Sequence, residues 1–177
     1  MKLESLTFDR AQMDAFRREL MEHDRNLLAE RIEQGADRLS KLAAQVADDR
    51  PSGDDWSARE VLAHIAVLSK FYGVTAKKIA DGAWTDFDLL GHISQRDVAG
   101  EQTARLPAAE IAAMALANLR RTLEFMRAAD VGSLYRRATV AEGTTMSAEE
   151  FLRLALCSHL EMHLDQLTAA LEKSRPS

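Results

Sequence analysis

Residues 147–171 read Ser-Ala-Glu-Glu-Phe-Leu-Arg-Leu-Ala-Leu-Cys-Ser-His-Leu-Glu-Met-His-Leu-Asp-Gln-Leu-Thr-Ala-Ala-Leu. The opening serine and the glutamate three places on make a capping box. In that pattern Ser147 Oγ accepts from the Glu150 N–H and the Glu150 carboxylate accepts from the Ser147 N–H. Behind it the side chains fall on two helical stripes. Leu152, Ala155, His159, Met162, His163, Gln166 and Ala170 share one; Leu156, Leu160, Leu164, Leu167 and Leu171 form the other. The spacing predicts a helix from Ser147 to about Leu171 or Lys173, followed by a fraying tail. One contact needs less apolar surface than this, so the leucine stripe packs either inside a bundle or against a second copy in a dimer. His159 and His163, at i and i+4, project from adjacent turns of one face. Two imidazoles so placed can share a metal ion, given a third ligand from another element.

A candidate third ligand lies in Trp56-Ser57-Ala58-Arg59-Glu60-Val61-Leu62-Ala63-His64-Ile65. Ser57 and Glu60 repeat the capping box, and Trp56 with Val61 can form a hydrophobic staple. The helix should run through Leu68, Phe71 and Tyr72 to about Ala80, ahead of Asp81-Gly82. His64 shares a face with Val61, Leu68 and Phe71, and so points to the interior.

Elsewhere the chain is also helical in period, with only three prolines and eight glycines. From Met13 to about Val46, Phe16, Leu20, Leu27, Ile32, Leu39, Leu42 and Val46 recur at helical steps, predicting one long helix or two broken near Gly35. His23, among charged neighbours, is expected at the surface. Residues 48–55 form a turn-rich connector. Residues 81–106 form a long connection with Trp84, Phe87 and His92, in which Ser94-Gln95-Arg96-Asp97 can cap a short helix. Its length suits crossing a bundle or covering a site, and His92 is a candidate fourth ligand or substrate contact, or an exposed loop residue. Pro107 suits a first helical turn. The next helix runs from Ala108 to about Ala129, burying Ile111, Met114 or Ala115, Leu119 and Met126. Residues 130–145 read as irregular, with a short extended piece near Ala138-Thr139-Val140; Tyr135 and Arg136 there are either site contacts or loop residues. Four principal helices with long connections between the second and third and between the third and fourth predict an all-α, four-helix bundle of one domain, residues 1–177.

Bulk properties narrow the function. At 177 residues the chain can bury one core, and 46% apolar with 29% charged residues is an ordinary globular composition. A net charge of −5 and pI near 5.6, with no basic stripe, argue against a nucleic-acid surface. A single cysteine, Cys157, excludes an internal disulfide framework and suits a reducing cytoplasm. The N-terminal residues carry early acids without an apolar h-region, so no secretory signal is expected; no apolar run reaches the ~20 residues of a membrane span.

His64, His159 and His163 therefore make a candidate three-histidine set drawn from two helices. Buried imidazoles need partners, and neutral imidazoles suit Zn²⁺, Ni²⁺, Fe²⁺ or Cu²⁺. Three protein ligands leave a position for water or substrate, as in catalytic sites. A zinc-protease motif is absent, because Leu160 follows His159 and Glu161 lies about 200° round the helix. Gln166, one turn past His163, can hydrogen-bond a ligand imidazole or stay at the surface. Asp165 is expected to be exposed and Cys157 to be a buried, inert thiol. There is no glycine-rich phosphate loop, nucleophile elbow or CxxC pair.

The two halves, Trp56-Ser57-x-x-Glu60-Val61-Leu62-Ala63-His64 and His159-x-x-x-His163-x-x-Gln166, resemble the DinB-like (damage-inducible, YfiT-like) family of metalloproteins. The likeness, which includes the long second-to-third connection, spans most of the chain. It implies a four-helix bundle with a divalent metal, usually zinc or nickel, on His64, His159 and His163, in a homodimer. Characterised relatives include thiol-S-transferases using bacillithiol or glutathione, and mycothiol-dependent maleylpyruvate isomerases. In those isomerases a glutamate replaces the first histidine of the last-helix pair; His159 departs from that and speaks against maleylpyruvate isomerisation. The activity implied is thiol transfer. The metal lowers the pKa of a low-molecular-weight thiol co-substrate, whose thiolate attacks a small electrophile under the long connections. No residue is assigned as general base. Two other readings stay open: a metal-dependent hydrolase using bound water, and a non-catalytic stress protein that binds a metal or small molecule.

Overall fold

Asp9 caps the first helix with a full capping box: its carboxylate accepts from the Gln12 N–H at 2.8 Å, and the Gln12 amide oxygen accepts from the Asp9 N–H. From there α1 runs unbroken over Arg10–Ala43. The computed structural model describes residues 9–48 and 56–173. Most of the expected 48–55 connector, the N-terminal stretch before Asp9 and the expected tail after Lys173 lie outside the described residues.

Gly35 does not break α1. It is buried where α1 meets the last helix, and a Cβ there would stand 2.7 Å from Leu160 Cδ2. The glycine marks a close approach of two helices, not an interruption of one. The apolar period in α1 is also only partly a core period. Ile32 and Leu39 are fully buried, but Phe16, Leu20 and Leu27 are 58%, 49% and 42% exposed. The buried face begins with Leu28 and continues through Ala29, Ile32, Gly35, Leu39 and Ala43. His23 is exposed, as its charged neighbours suggest.

Ser57 starts α2 (Ala58–Ala80) with the expected capping box. Its apolar positions are so closely spaced that the helix is buried on most sides, and it packs against both of the later long helices. The 81–106 connection contains α3 (Ile93–Thr103), whose cap position is His92 without a side-chain cap bond. Before α3, the Phe87 and Leu89 N–H groups donate to Thr139 and Val140 carbonyls, and Phe87 packs edge-on to Phe151. These bonds fix a segment that has no regular structure of its own.

Pro107 stands at the cap of α4 (Ala108–Ala128) and cannot supply a capping side chain. Asp48 does so instead, accepting from the Ala108 N–H at 2.7 Å. Ile111, Ala115, Leu119 and Met126 are fully buried, while Met114 is 39% exposed, so Ala115 takes the core position.

Residues 130–145 are more ordered than their composition suggests. A 3₁₀ turn at Val131–Tyr135 leads into β1 (Arg137–Ala141), paired antiparallel with β2 (Thr144–Ser147). Gly143, at φ +69°, makes the turn between them. Tyr135 and Arg136 make scaffold contacts. Tyr135 Oη donates to Asp24, and Arg136 Nη1 donates to the Ala80 carbonyl at 2.6 Å, closing the end of α2.

Ser147 ends β2 and caps α5 (Ala148–Phe151), with Glu150 completing the box. A π-helical segment, Leu152–Ser158, follows and gives way to α6 (His159–Lys173). Right-handed backbone angles at Leu152 and His159 make the three pieces one continuous rod. The leucine stripe, Leu156 to Leu171, is buried within this chain, where α6 packs against α1 and α2. It therefore offers no face to a second copy, whereas Met162 on the other stripe is exposed. The protein is thus mostly helical, with one small two-stranded sheet among the described residues. No helix among those residues is long and apolar enough to cross a membrane.

Candidate metal centre

His64 stands on the second turn of α2, at a depth set by the Ser57 capping box. His159 is the first residue of α6, immediately after the π-helical segment, and His163 follows one turn later. A π turn inserts an extra residue into the ladder and rotates everything beyond it. Here it sets the phase of the whole of α6, both histidines included, against α5 and its buried Phe151.

The three imidazoles meet. Ring centroids are 4.5 Å apart for His64 and His163, 4.6 Å for His159 and His163, and 6.2 Å for His64 and His159. One ligand atom from each ring can be chosen so that all lie within 4.8 Å of one another. Tetrahedral coordination at about 2.0–2.1 Å places nitrogens about 3.3 Å apart, so small side-chain rotations close the set onto one ion.

The hydrogen bonds around the rings leave the right atoms free. His163 Nδ1 lies 2.8 Å from Gln166 Oε1, an acceptor only, so Nδ1 carries the proton and Nε2 keeps its lone pair. That Nε2 is buried and has no hydrogen-bond partner. A buried imidazole nitrogen with nothing to bind is costly, and a cation is the partner that suits it. His159 Nδ1 lies 3.1 Å from Tyr72 Oη, with the two rings stacked; with the hydroxyl oxygen as acceptor of an Nδ1–H bond, Nε2 keeps its lone pair for an ion. Trp56 packs edge-on against His64, ring centroids 4.9 Å apart, and so shields the third imidazole. Gln166 and Tyr72 hold their rings in the manner of second partners to metal ligands.

The site favours neutral imidazole. Burial, then the nearby His163 and His159, and then Arg96 push His64 down to about 4 against an opposing pull from Asp97. Burial also lowers His159, helped by His163 and Arg96. It lowers His163 as well, against the raising effect of the Gln166 bond. Neutral imidazole is the form that binds metal.

Beside His64 a cavity of ≈600 Å³ opens between the start of α2 and α3, lined by Trp56, Glu60, Asp97, Glu101 and Arg105 among others. It is large enough for a small molecule to reach the half-buried face of His64. The other sequence candidates are not in the cluster. His92 lines a separate cleft. Asp165 is exposed and paired with Arg38 at 2.8 Å, and Glu161 makes a two-point bond to Arg31. Cys157 is buried, and burial pushes its thiol up to about 11, which keeps it protonated and unreactive.

Tyr72 and Trp56 are contacts that the sequence did not assign to the site. Tyr72 ends the i, i+4, i+8 row His64–Leu68–Tyr72, a pattern that suggests proximity but not a bond to His159.

A family model, the DinB superfamily, matches residues 27–167, most of the chain, with all three histidines and Gln166 inside the match. No curated protein and no solved structure matches the chain.

Proposed function

The chain belongs to the DinB superfamily, and on that footing we propose that it is a metal-dependent thiol-S-transferase with His64, His159 and His163 as the metal ligands. One observation carries the reading: the three imidazoles converge while His163 Nε2 stays buried and without a partner. A divalent ion, zinc or nickel by ligand chemistry, would supply a low-molecular-weight thiol as thiolate at neutral pH.

The chain's own residues do the rest. Gln166 fixes the His163 tautomer and Tyr72 orients His159. Trp56 packs edge-on against His64 and lines, together with it, the cavity that admits the electrophile. In the transfer the thiol sulfur bonds to the electrophilic carbon, the leaving group departs with its electron pair, and the thiol proton passes to solvent. We also read the architecture as a four-helix bundle built from α1, α2, α4 and the α5–α6 rod. A homodimer fits best on the exposed Met13, Phe16 and Leu20 of α1, because the leucines of α6 face inward.

The test pairs metal content with thiol dependence. Purified protein should carry about one metal per three-histidine site, in keeping with a single open centre. It should consume 1-chloro-2,4-dinitrobenzene only with added thiol, releasing chloride, and chelator should stop it. His64→Ala, His159→Ala and His163→Ala should each lose both metal and activity. Unchanged metal content in the three variants would sink the ligand assignment. Chelator-sensitive turnover that needs no thiol would assign hydrolysis instead.

A further inference from the structure

A second cavity, of ≈550 Å³, lies between α2, α3 and α4, and none of the three histidines lines it. Its walls are mostly apolar: Val67, Phe71 and Val74 from α2, Trp84 from the connection, and Met114 from α4. Two of these are large apolar side chains left open to solvent, Val74 at 47% and Met114 at 39%. Such exposure is common for single residues, but here it borders a concave space.

The polar lining has one sign of charge. Arg96 and Lys70 border the cavity, and no aspartate or glutamate is among its described lining residues. This contrasts with the cavity beside His64, where Glu60, Asp97 and Glu101 stand together. The Arg96 guanidinium lies over the Phe71 ring at 4.6 Å from its centroid. Its Nη1 is shielded from solvent and has no hydrogen-bond partner. Stacking on a ring face leaves the in-plane N–H donors free, and that fork matches a carboxylate. At the inner end, the Thr75 hydroxyl is fully buried and equally without a partner. A shielded guanidinium nitrogen and a buried hydroxyl, both unsatisfied around one apolar space, are costly unless a ligand satisfies them.

We propose that this cleft is a binding site for a small amphipathic carboxylate, one or two rings in size, with the carboxylate on Arg96 and the ring body against Phe71 and Trp84. None of the three histidines lines the site, and binding there does not require metal. It does adjoin that cluster, since Phe71 packs edge-on to Tyr72, whose hydroxyl meets His159.

The test is calorimetric titration of the chelator-treated 177-residue chain with 1-naphthoate and with its neutral counterpart, naphthalene-1-methanol. A hydrogen bond to a charged group contributes about 1.5–3 kcal/mol, so naphthoate should bind at least about tenfold more tightly than the alcohol. Arg96→Gln should bring the two ligands to within about twofold of each other, because the remaining cation, Lys70, is exposed and screened by solvent. Arg105→Gln, which alters the cavity beside His64, should leave the preference intact. Val74→Glu, a change at an exposed helical position, should weaken naphthoate selectively by adding a like charge at the rim. Equal affinity for the two ligands in the unaltered protein, or no binding of either, overturns the proposal. So does a preference that survives Arg96→Gln, or one that Arg105→Gln removes.

Discussion

Gln166 decides which nitrogen of His163 is available. Its amide oxygen accepts a hydrogen bond from Nδ1–H, and the buried Nε2 is left as the electron-pair donor. Removing such a partner typically costs 10–100-fold in metal affinity, so Gln166→Ala should weaken zinc or nickel by about that factor while far-ultraviolet dichroism is unchanged. Competition against a chromophoric chelator measures it; unchanged affinity would assign Gln166 to the surface only. The histidines also carry a pH dependence whose sign follows from burial. His64 is held at about 4 in the folded chain, against about 6.5 in an unfolded one. As pH falls through that window the unfolded chain takes up a proton that the folded chain refuses, so stability is lost with falling pH and levels off below about 4. Urea midpoints of chelator-treated protein should drop from pH 6.5 to 4.5, and His64→Gln should flatten the slope. An equal slope in the variant would refute the assignment. At this scale the sequence was legible where spacing on one helix carried the information, as for His159, His163 and Gln166. It was silent where two elements meet. Nothing in the 81–106 connection announces that Arg96 will stack on Phe71, and nothing in α2 announces that Tyr72 will reach His159.

The helices α2 and α4 meet closely at Gly73 and Thr122. A Cβ on Gly73 would collide with Thr122 Oγ1, and that hydroxyl is itself bonded to the Asn118 carbonyl. Alanine is the better helix former by about 0.8–1.0 kcal/mol, but overpacking a tight contact costs about 1–3 kcal/mol. Gly73→Ala should therefore destabilise by about 1 kcal/mol in urea unfolding, and Thr122→Ala in the same chain should restore part of it. Additive effects of the two changes would show that they do not share the contact. Elements with explicit start signals, α2 and the α5–α6 rod, were readable because Ser57/Glu60 and Ser147/Glu150 form their caps as drawn. Less was readable in α1. Phe16, Leu20 and Leu27 keep helical period, yet the face that finds a partner starts at Leu28. Period marks a face, and only the neighbouring element decides whether that face is buried. The hairpin and the π-helical segment left weaker traces. β1 and β2 are short and turn at Glu142-Gly143, not at a favoured pair, and Leu152–Ser158 carries no glycine or proline to mark a change of winding.

For the molecule as a whole, the histidines bring together helices that are far apart in sequence. His64 belongs to α2, while His159 and His163 belong to α6, and the two helices pack directly. An ion held by all three would cross-link that contact and would find no equivalent site in the unfolded chain. Such binding adds to folding stability by mass action, about 2.7 kcal/mol at a free metal concentration one hundred times Kd. For a domain of this size each kcal/mol moves Tm by roughly 2–4 °C, so metal should raise Tm by about 5–10 °C over chelator-treated protein. Residual binding to unfolded histidines would trim the shift without reversing it. His163→Ala removes the ligand that is buried and leaves only two, so its Tm should be nearly indifferent to zinc or nickel. His23→Ala, at an exposed position on α1, should keep the full shift. Differential scanning fluorimetry with each metal in turn measures all of this and ranks the metals by the size of the shift. Equal melting with and without metal, or a shift that persists in His163→Ala, would show that the imidazoles meet for packing alone.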